Sequence, residues 1–277
     1  MDRLELHRLA YANEVTAAAG DSNGRVKAAF AATPRERFVG AGPWQMFTPS
    51  GYVDTMSDDA AVLYQDVLVA LKHEAGINNG QPSLHARCLA ALALGPGEQV
   101  LHVGAGTGYY TAMLSLLVGP GGSVLALEIE PDLARKAARN LAPYGNVSVR
   151  QRSGSRGRLD ACDVIYVNAG ATRPLDLWLD ALRPGGRLLF PLTPNSGFGA
   201  MLLVTRVSTR RFDARFICRA AFIPCAGARD DATAQKLSAA FRRGDSENVR
   251  SLRRDTLPDA SCWCAGRGWW LSTAAGD

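Results

Sequence analysis

Residues 100–111, V-L-H-V-G-A-G-T-G-Y-Y-T, constrain the fold more than any other part of the chain. Val100, Leu101 and Val103 have strand character and run directly into Gly104, Gly106 and Gly108, after which Ala112, Met113, Leu114, Leu116 and Leu117 follow a helical pattern. The stretch reads as strand, tight turn and helix. Glycine at every second position permits positive φ and lets a ligand approach the backbone with no Cβ in the way, while the following helix presents free N–H groups. That is a nucleotide pocket. Spacing then discriminates. A dinucleotide fingerprint, G-x-G-x-x-G, would place its third glycine at Tyr109, whereas this chain has it at Gly108, giving G-x-G-x-G. Residues 123–127 read as the next strand, which ends at Glu128, an acid placed to accept hydrogen bonds from both hydroxyls of a ribose. Glu128 implies a ribose without choosing among cofactors.

The G-x-G-x-G spacing resembles motif I of class I S-adenosylmethionine-dependent methyltransferases. That resemblance implies an α/β fold, a doubly wound Rossmann-like sheet, mostly parallel, and S-adenosyl-L-methionine as cofactor. It places His102, Gly104, Ala105, Gly106, Gly108 and Tyr109 around the cofactor, with Glu128 on its ribose and Ile129 on its adenine ring. An NAD-linked oxidoreductase is the weaker reading, because the glycine spacing argues against it.

Along the chain, a helical pattern through Leu4, Leu6, Leu9 and Ala10 is followed by a second helix and the run V-K-A-A-F-A-A-T-P-R-E-R-F-V from Val26 to Val39. Tyr64-Gln65-Asp66 and then Gly80-Gln81-Pro82-Ser83-Leu84-His85-Ala86 follow. These segments are similar to the N-terminal signature, the Y-x-D and the S-x-P-x-x-H-A of protein-L-isoaspartate O-methyltransferases. The resemblance implies transfer of a methyl group to a carboxylate of a protein, peptide or small molecule. It assigns Gly80, Gln81, Ser83 and His85 to the acceptor side, His85 being the nearby group able to act as a base. A structural histidine is the competing reading of His85. Ser83, Asn78 and Asn79 are candidates to orient a carboxyl oxygen.

Three positions depart from the family. Gly80 stands where the family has serine, His102 where many class I enzymes carry an acid, and Ser153, in the run R-S-G-S-R-G of residues 152–157, where the family has an aspartate that accepts from the adenine amino group. Ser153 and Gly154 are placed at the adenine, and the serine hydroxyl still accepts, without charge. With His102 unable to supply a negative charge, main-chain carbonyls around Gly104 and Asn168 are expected to hold the amino-acid end. Departures confined to functional positions fit a changed acceptor and equally a lost activity. A non-catalytic protein binding S-adenosylmethionine or S-adenosylhomocysteine, and a methyltransferase with a different acceptor, therefore stand as alternatives.

Residues 162–167 are apolar enough for a doubly covered parallel strand with Asn168 at its carboxyl edge. A helix over residues 175–182 stops at Arg183-Pro184-Gly185-Gly186, and residues 187–191 form the next strand. Residues 201–207 and 214–223 read as an antiparallel hairpin at the C-terminal edge. The tail holds one helix and a tryptophan-rich end that turns at residues 266–268. The organisation expected is an N-terminal helical segment with the substrate loop (1–82), a cofactor-binding Rossmann-like domain (83–227), and a C-terminal helix and tail (228–277).

With 277 residues, 47% hydrophobic and 21% charged, the chain is large enough for one core with appendages. A net charge of +5 permits nucleic-acid contact, but the arginines are scattered among acids and apolar residues and no aromatic platform accompanies them. No apolar run approaches the roughly 18 residues of a membrane span, and residues 1–5 lack an apolar signal core. Those features lead to the expectation of a cytoplasmic protein with no membrane association. Six cysteines without paired metal-ligand spacing predict reduced thiols and no metal. Oligomeric state is left open.

Overall fold

The computed structural model describes residues 2–276, with Met1 and Asp277 outside the described residues. The chain divides into two compact units. One holds the residues up to Gln99 together with Gly104–Arg152, the other Val100–Val103 and the residues from Ser153 on.

The first unit begins with α1 (Arg3–Thr16), α2 (Arg25–Ala32) and α3 (Glu36–Val39). Asp2 caps α1, its side chain accepting from the N–H of Glu5 at 2.7 Å. Two short hairpins follow, β1 (Gln45–Thr48) with β2 (Gly51–Asp54), and β3 (Ala70–Lys72) with β4 (Ile77–Asn78). The sequence pattern did not announce either hairpin. Arg35 of the P-R-E run is 0% exposed and donates to the carbonyls of Leu63, Gln65 and Val67. A buried cation spent on backbone carbonyls stitches the segment leading into β3, adding a charged donor to the Leu63 and Gln65 carbonyls, which already accept from the N–H groups of Gln65 and Val67, and supplying one to Val67. Next come α4 (Pro82–Leu92), with proline in its first turn, and β5 (Gln99–Val103), which but for Gln99 belongs to the second unit. Then α5 (Tyr109–Val118), β6 (Ser123–Glu128), α6 (Pro131–Asn140) and β7 (Val147–Gln151) alternate, and β6 and β7 pair in parallel. Tyr11, Phe30, Phe38, Tyr64, Tyr109 and Tyr110 form an aromatic cluster that packs the N-terminal helices on α5, with ring centroids 5.0 to 6.4 Å apart.

The second unit is built on β8 (Cys162–Val167), α7 (Asp176–Ala181), β9 (Leu182–Leu192), β10 (Gly199–Arg206), β11 (Phe212–Ala220), α8 (Asp231–Arg243), β12 (Ser251–Arg254), β13 (Cys262–Gly266) and β14 (Trp269–Ser272). Its strands run β13-β14-β12-β11-β10-β9-β8-β5. The pairings among β5, β8 and β9 are parallel, and every pairing from β9 outward is antiparallel. Val164, Ile165, Tyr166 and Val167 are all 0% exposed, as the unbroken apolar run requires.

Two details differ from the sequence reading. The Arg183-Pro184-Gly185-Gly186 segment lies inside β9, where the register with β8 shifts between Cys162 and Val164. Arg183 donates to both oxygens of Asp163 at 3.0 Å, and Gly185 takes φ +79°, so the expected helix stop is a bulge that keeps the chain in the sheet. Moreover, the antiparallel edge is longer than one hairpin. The tail does turn at Gly266–Gly268, as read, and β12 joins that turn to β11. Phe216, Phe241 and Trp263, with centroids 5.1 to 5.6 Å apart, pack α8 on these strands. Among the described residues no helix is long and apolar enough to cross a membrane.

Candidate cofactor and acceptor site

In the first unit the glycine turn lies on the end of β6. The N–H groups of Gly104 and Ala105 donate to the carbonyl of Leu127 at 2.9 and 3.2 Å. Gly106 takes φ +58° and Gly108 φ +99°, and a Cβ on Gly108 would lie 2.7 Å from Leu141 Cδ1. The turn is thus tight by necessity at both ends. Glu128 is 5% exposed; its Oε2 accepts from the N–H of Gly106 at 2.6 Å and its Oε1 from that of Glu130 at 2.9 Å. Burial raises its pKa above the ordinary carboxylate value, and backbone hydrogen bonds from Glu130, Gly106 and Ile129 pull the other way. Ile129 beside it is 48% exposed, an apolar face left open, and Ala105 is buried in the turn.

Tyr109 is placed differently from the expectation. Its ring belongs to the aromatic cluster and its hydroxyl lies 3.4 Å from that of Tyr11, so only its main-chain N–H faces the turn at the start of α5. Its side chain packs the N-terminal helices.

The second unit carries the other predicted cofactor residues. His102, on β5, is 0% exposed and stacked near-parallel on Tyr166, with ring centroids 5.4 Å apart. Burial pushes its pKa down to about 3, so the ring is neutral at physiological pH. Its Nε2 lies 2.8 Å from Asn168 Nδ2. A neutral ring that accepts there carries its proton on Nδ1, and the contact fixes the Asn168 amide with Oδ1 turned away. That Oδ1 is buried and has no hydrogen-bond partner among the described residues.

Ser153 accepts from the N–H of Ser155 at 3.2 Å, and the two hydroxyl oxygens are 2.8 Å apart. Because Ser155 donates its own proton to the carbonyl of Ala226, Ser153 must donate to Ser155, which leaves Ser153 one free lone pair. Gly154 has no room for a side chain: a Cβ would lie 2.7 Å from Val103 Cγ2, and its carbonyl accepts from Trp178 Nε1 at 2.8 Å.

On the acceptor side, again in the first unit, Asp66 is the organising residue. Its carboxylate accepts from the N–H of Ser83 at 2.8 Å, from Ser83 Oγ at 2.6 Å and from Gln81 Nε2 at 3.0 Å, capping α4 from outside the helix. Ser83 therefore has its proton committed, and Gln81 keeps one amide N–H. Asn78 Oδ1 accepts from the N–H of Gly80 at 2.9 Å, and Asn79 Oδ1 from that of Val69 at 2.9 Å. His85 is 1% exposed and stacked on Tyr110 at 3.6 Å and 10°. The structure thus makes His85 a packed ring beside Gly80, and adds Asp66, whose partners Gln81 and Ser83 lie 15 and 17 residues away, to the residues that matter.

The sequence profile of the protein-L-isoaspartate(D-aspartate) O-methyltransferase family matches residues 16–230. The chain belongs to that family. A protein-L-isoaspartate O-methyltransferase from Brucella anthropi is 33% identical over 168 residues, which are 59% of this chain and 75% of that protein. Two solved structures carry the same fold. One, a protein-L-isoaspartate O-methyltransferase, has a TM-score of 0.66 at 24% identity and covers 91% of this chain and 74% of its own. The other, from Plasmodium falciparum and described as a protein-L-isoaspartate O-methyltransferase in complex with S-adenosyl-L-homocysteine, has a TM-score of 0.64 at 17% identity, covering 79% and 98%. The class I methyltransferase fold and an S-adenosylmethionine-dependent methyltransferase activity, both expected from the motifs, hold for this member of the family.

Glu128→Ala is expected to weaken S-adenosylhomocysteine binding by at least about tenfold, since it removes a charged acceptor and strands the N–H groups of Gly106 and Glu130. Calorimetric titration measures it, and a loss under twofold would remove Glu128 from the ribose site.

Proposed function

We propose that this protein methylates the free carboxylate of isoaspartyl residues in peptides or proteins, with S-adenosylmethionine as methyl donor. Family membership carries the reading. The residues fit the cofactor in each unit taken by itself. In the first, the glycine turn and the buried carboxylate of Glu128 suit a ribose, and Ile129 offers an apolar face to adenine. In the second, Asn168 Oδ1 is a buried acceptor without a partner, which suits an ammonium, and Ser153 keeps one lone pair for an adenine amino group. Neutral His102 adds no positive charge beside that oxygen.

When bound, the cofactor supplies a methyl group already activated by a positive sulfonium. The acceptor carboxylate is ionised near neutral pH and needs no base, so the protein's task is to hold the acceptor oxygen in line with the methyl carbon. Positioning of this kind is worth up to about 7 to 11 kcal/mol in favourable cases. Gln81, anchored on Asp66 through one amide hydrogen, has the other to donate to that carboxylate. His85, stacked and buried, serves packing and not proton transfer in this scheme.

A second reading, a different carboxylate acceptor, is favoured by one observation. The His85 ring fills the space that a side chain at position 80 would need, so the acceptor loop differs in shape from one bearing serine. Titration with S-adenosylhomocysteine, followed by an assay for base-labile methyl ester on an isoaspartyl peptide and on a carboxylate panel, separates the two. Ester on the isoaspartyl peptide supports the first reading, and ester only elsewhere supports the second. Binding with no ester anywhere would sink both.

A further inference from the structure

In the first unit, adjacent residues of the β3–β4 hairpin touch the glycine turn and the loop after β6. Leu71 Cδ1 lies 3.4 Å from where a Cβ on Gly106 would sit. The N–H of Gly106 donates to Glu128 Oε2 at 2.6 Å, and Glu128 Oε1 accepts from the N–H of Glu130 at 2.9 Å. Glu130 Oε2 in turn accepts from Lys72 Nζ at 2.7 Å, with Asp132 Oδ1 at 3.7 Å from the same ammonium. Lys72 follows Leu71 in sequence, so the path returns to its starting point. The hairpin also ends at Asn78, whose Oδ1 accepts from the N–H of Gly80. One short hairpin therefore meets the ribose carboxylate's surroundings at one end and holds the acceptor loop at the other.

We propose that Lys72 is a positioning residue whose ion pair with Glu130 and Asp132 latches this hairpin over the ribose carboxylate, so that filling the cofactor pocket orders the loop that carries Gly80. The inference rests on the cofactor reading above. Lys72 acts through Glu130, not on a reacting atom. Its side chain is 28% exposed and that of Glu130 33%, so the pair is partly solvated and weak enough to open and close, as a latch over a ligand must. Coupling is reciprocal: if the cofactor orders the hairpin, a closed hairpin tightens the cofactor.

The test compares the full chain with Lys72→Met and Lys72→Arg at low salt, by titration with S-adenosylhomocysteine and by amide hydrogen exchange. Lys72→Met should bind about three- to fivefold more weakly. In the wild type the ligand should slow exchange over residues 70–80 as well as 104–108. In Lys72→Met the slowing should persist at 104–108 and vanish at 70–80, and Lys72→Arg should recover both. Wild-type-like ligand protection of 70–80 in Lys72→Met, or faster exchange there by the same factor with and without ligand, would overturn the latch and leave the cofactor reading standing. A wild type that does not bind S-adenosylhomocysteine would overturn the cofactor reading itself, and the latch with it.

Discussion

Gly80→Ser is expected to destabilise the protein by about 3 kcal/mol, although it restores the residue type found in the family. Gly80 sits at φ +75°, a left-handed conformation that costs an L-residue roughly 1–2 kcal/mol. A Cβ there would collide with His85 Nε2 and lie 2.8 Å from its Cδ2. The ring has nowhere to go. It is 1% exposed and stacked at 3.6 Å on Tyr110, which is itself buried and donates its hydroxyl to the carbonyl of Gly80 at 3.3 Å. Overpacking of that kind costs about 1–3 kcal/mol more. His85→Ala removes the obstacle, so the double variant Gly80→Ser/His85→Ala should be more stable than the sum of the single changes by about 1–3 kcal/mol. Urea midpoints of the four proteins measure both quantities. A Gly80→Ser protein within about 0.5 kcal/mol of wild type would show that the ring moves aside freely, and the coupling would be absent. The consequence reaches function: a serine at position 80 is not accommodated alone, so a test of what it does to acceptor choice has to change positions 80 and 85 together.

What could be read from the sequence was what local backbone geometry dictates. The glycine turn needs positive φ at fixed spacing, and the strand after it must end near an acid, so Gly104, Gly106, Gly108 and Glu128 were legible from residues 100–128 alone. The assignment of residues 80–86 to the acceptor rests on resemblance to the family segments and not on backbone geometry. Contacts between distant residues were not legible. Ser83 looked free to orient an acceptor because its partner Asp66 lies 17 residues earlier, and Lys72 carried no signal because Glu130 is 58 residues later. Tyr109 looked like a pocket residue by position, but helix periodicity turns its ring toward Tyr11 and Phe38. The strands β1, β2 and β12 have four residues each and mixed polarity, too short for alternation to stand out. The Pro-Gly-Gly inside β9 reads as a break in any local scheme. The Asp163–Arg183 pairing between β8 and β9 helps keep that segment in the strand, and a partner 20 residues away is invisible to such a scheme.

His102 should make the fold acid-sensitive well above the range of carboxylate titration. An unfolded histidine takes up its proton near pH 6.5, whereas in the folded chain burial holds that step down to about pH 3. Between those values the unfolded state binds more protons, so stability is fully present above pH 6.5 and falls as the pH drops, by up to about 1.4 kcal/mol per unit. Moving from pH 7 to pH 5 should therefore cost about 2 kcal/mol from this one residue. Two other sets of groups act elsewhere. Glu128, with its pKa raised by burial, favours the folded state as it protonates and so opposes the loss, most strongly at the acid end. Asp59, Asp132 and Asp230 have pKa values lowered from 3.8, so their contributions vanish only below that pH. His102→Gln isolates the effect. Its amide oxygen can accept from Asn168 Nδ2 as the ring nitrogen does, and it cannot titrate. The substitution carries its own packing cost at pH 7, but its further loss on going to pH 5 should be about 2 kcal/mol smaller than that of the wild type. Equal losses in the two proteins, read from urea midpoints at each pH, would mean that the ring gains its proton in the folded state at an ordinary pH. The ring would then be cationic beside Asn168 Oδ1 in mild acid, and S-adenosylhomocysteine affinity would fall over the same interval.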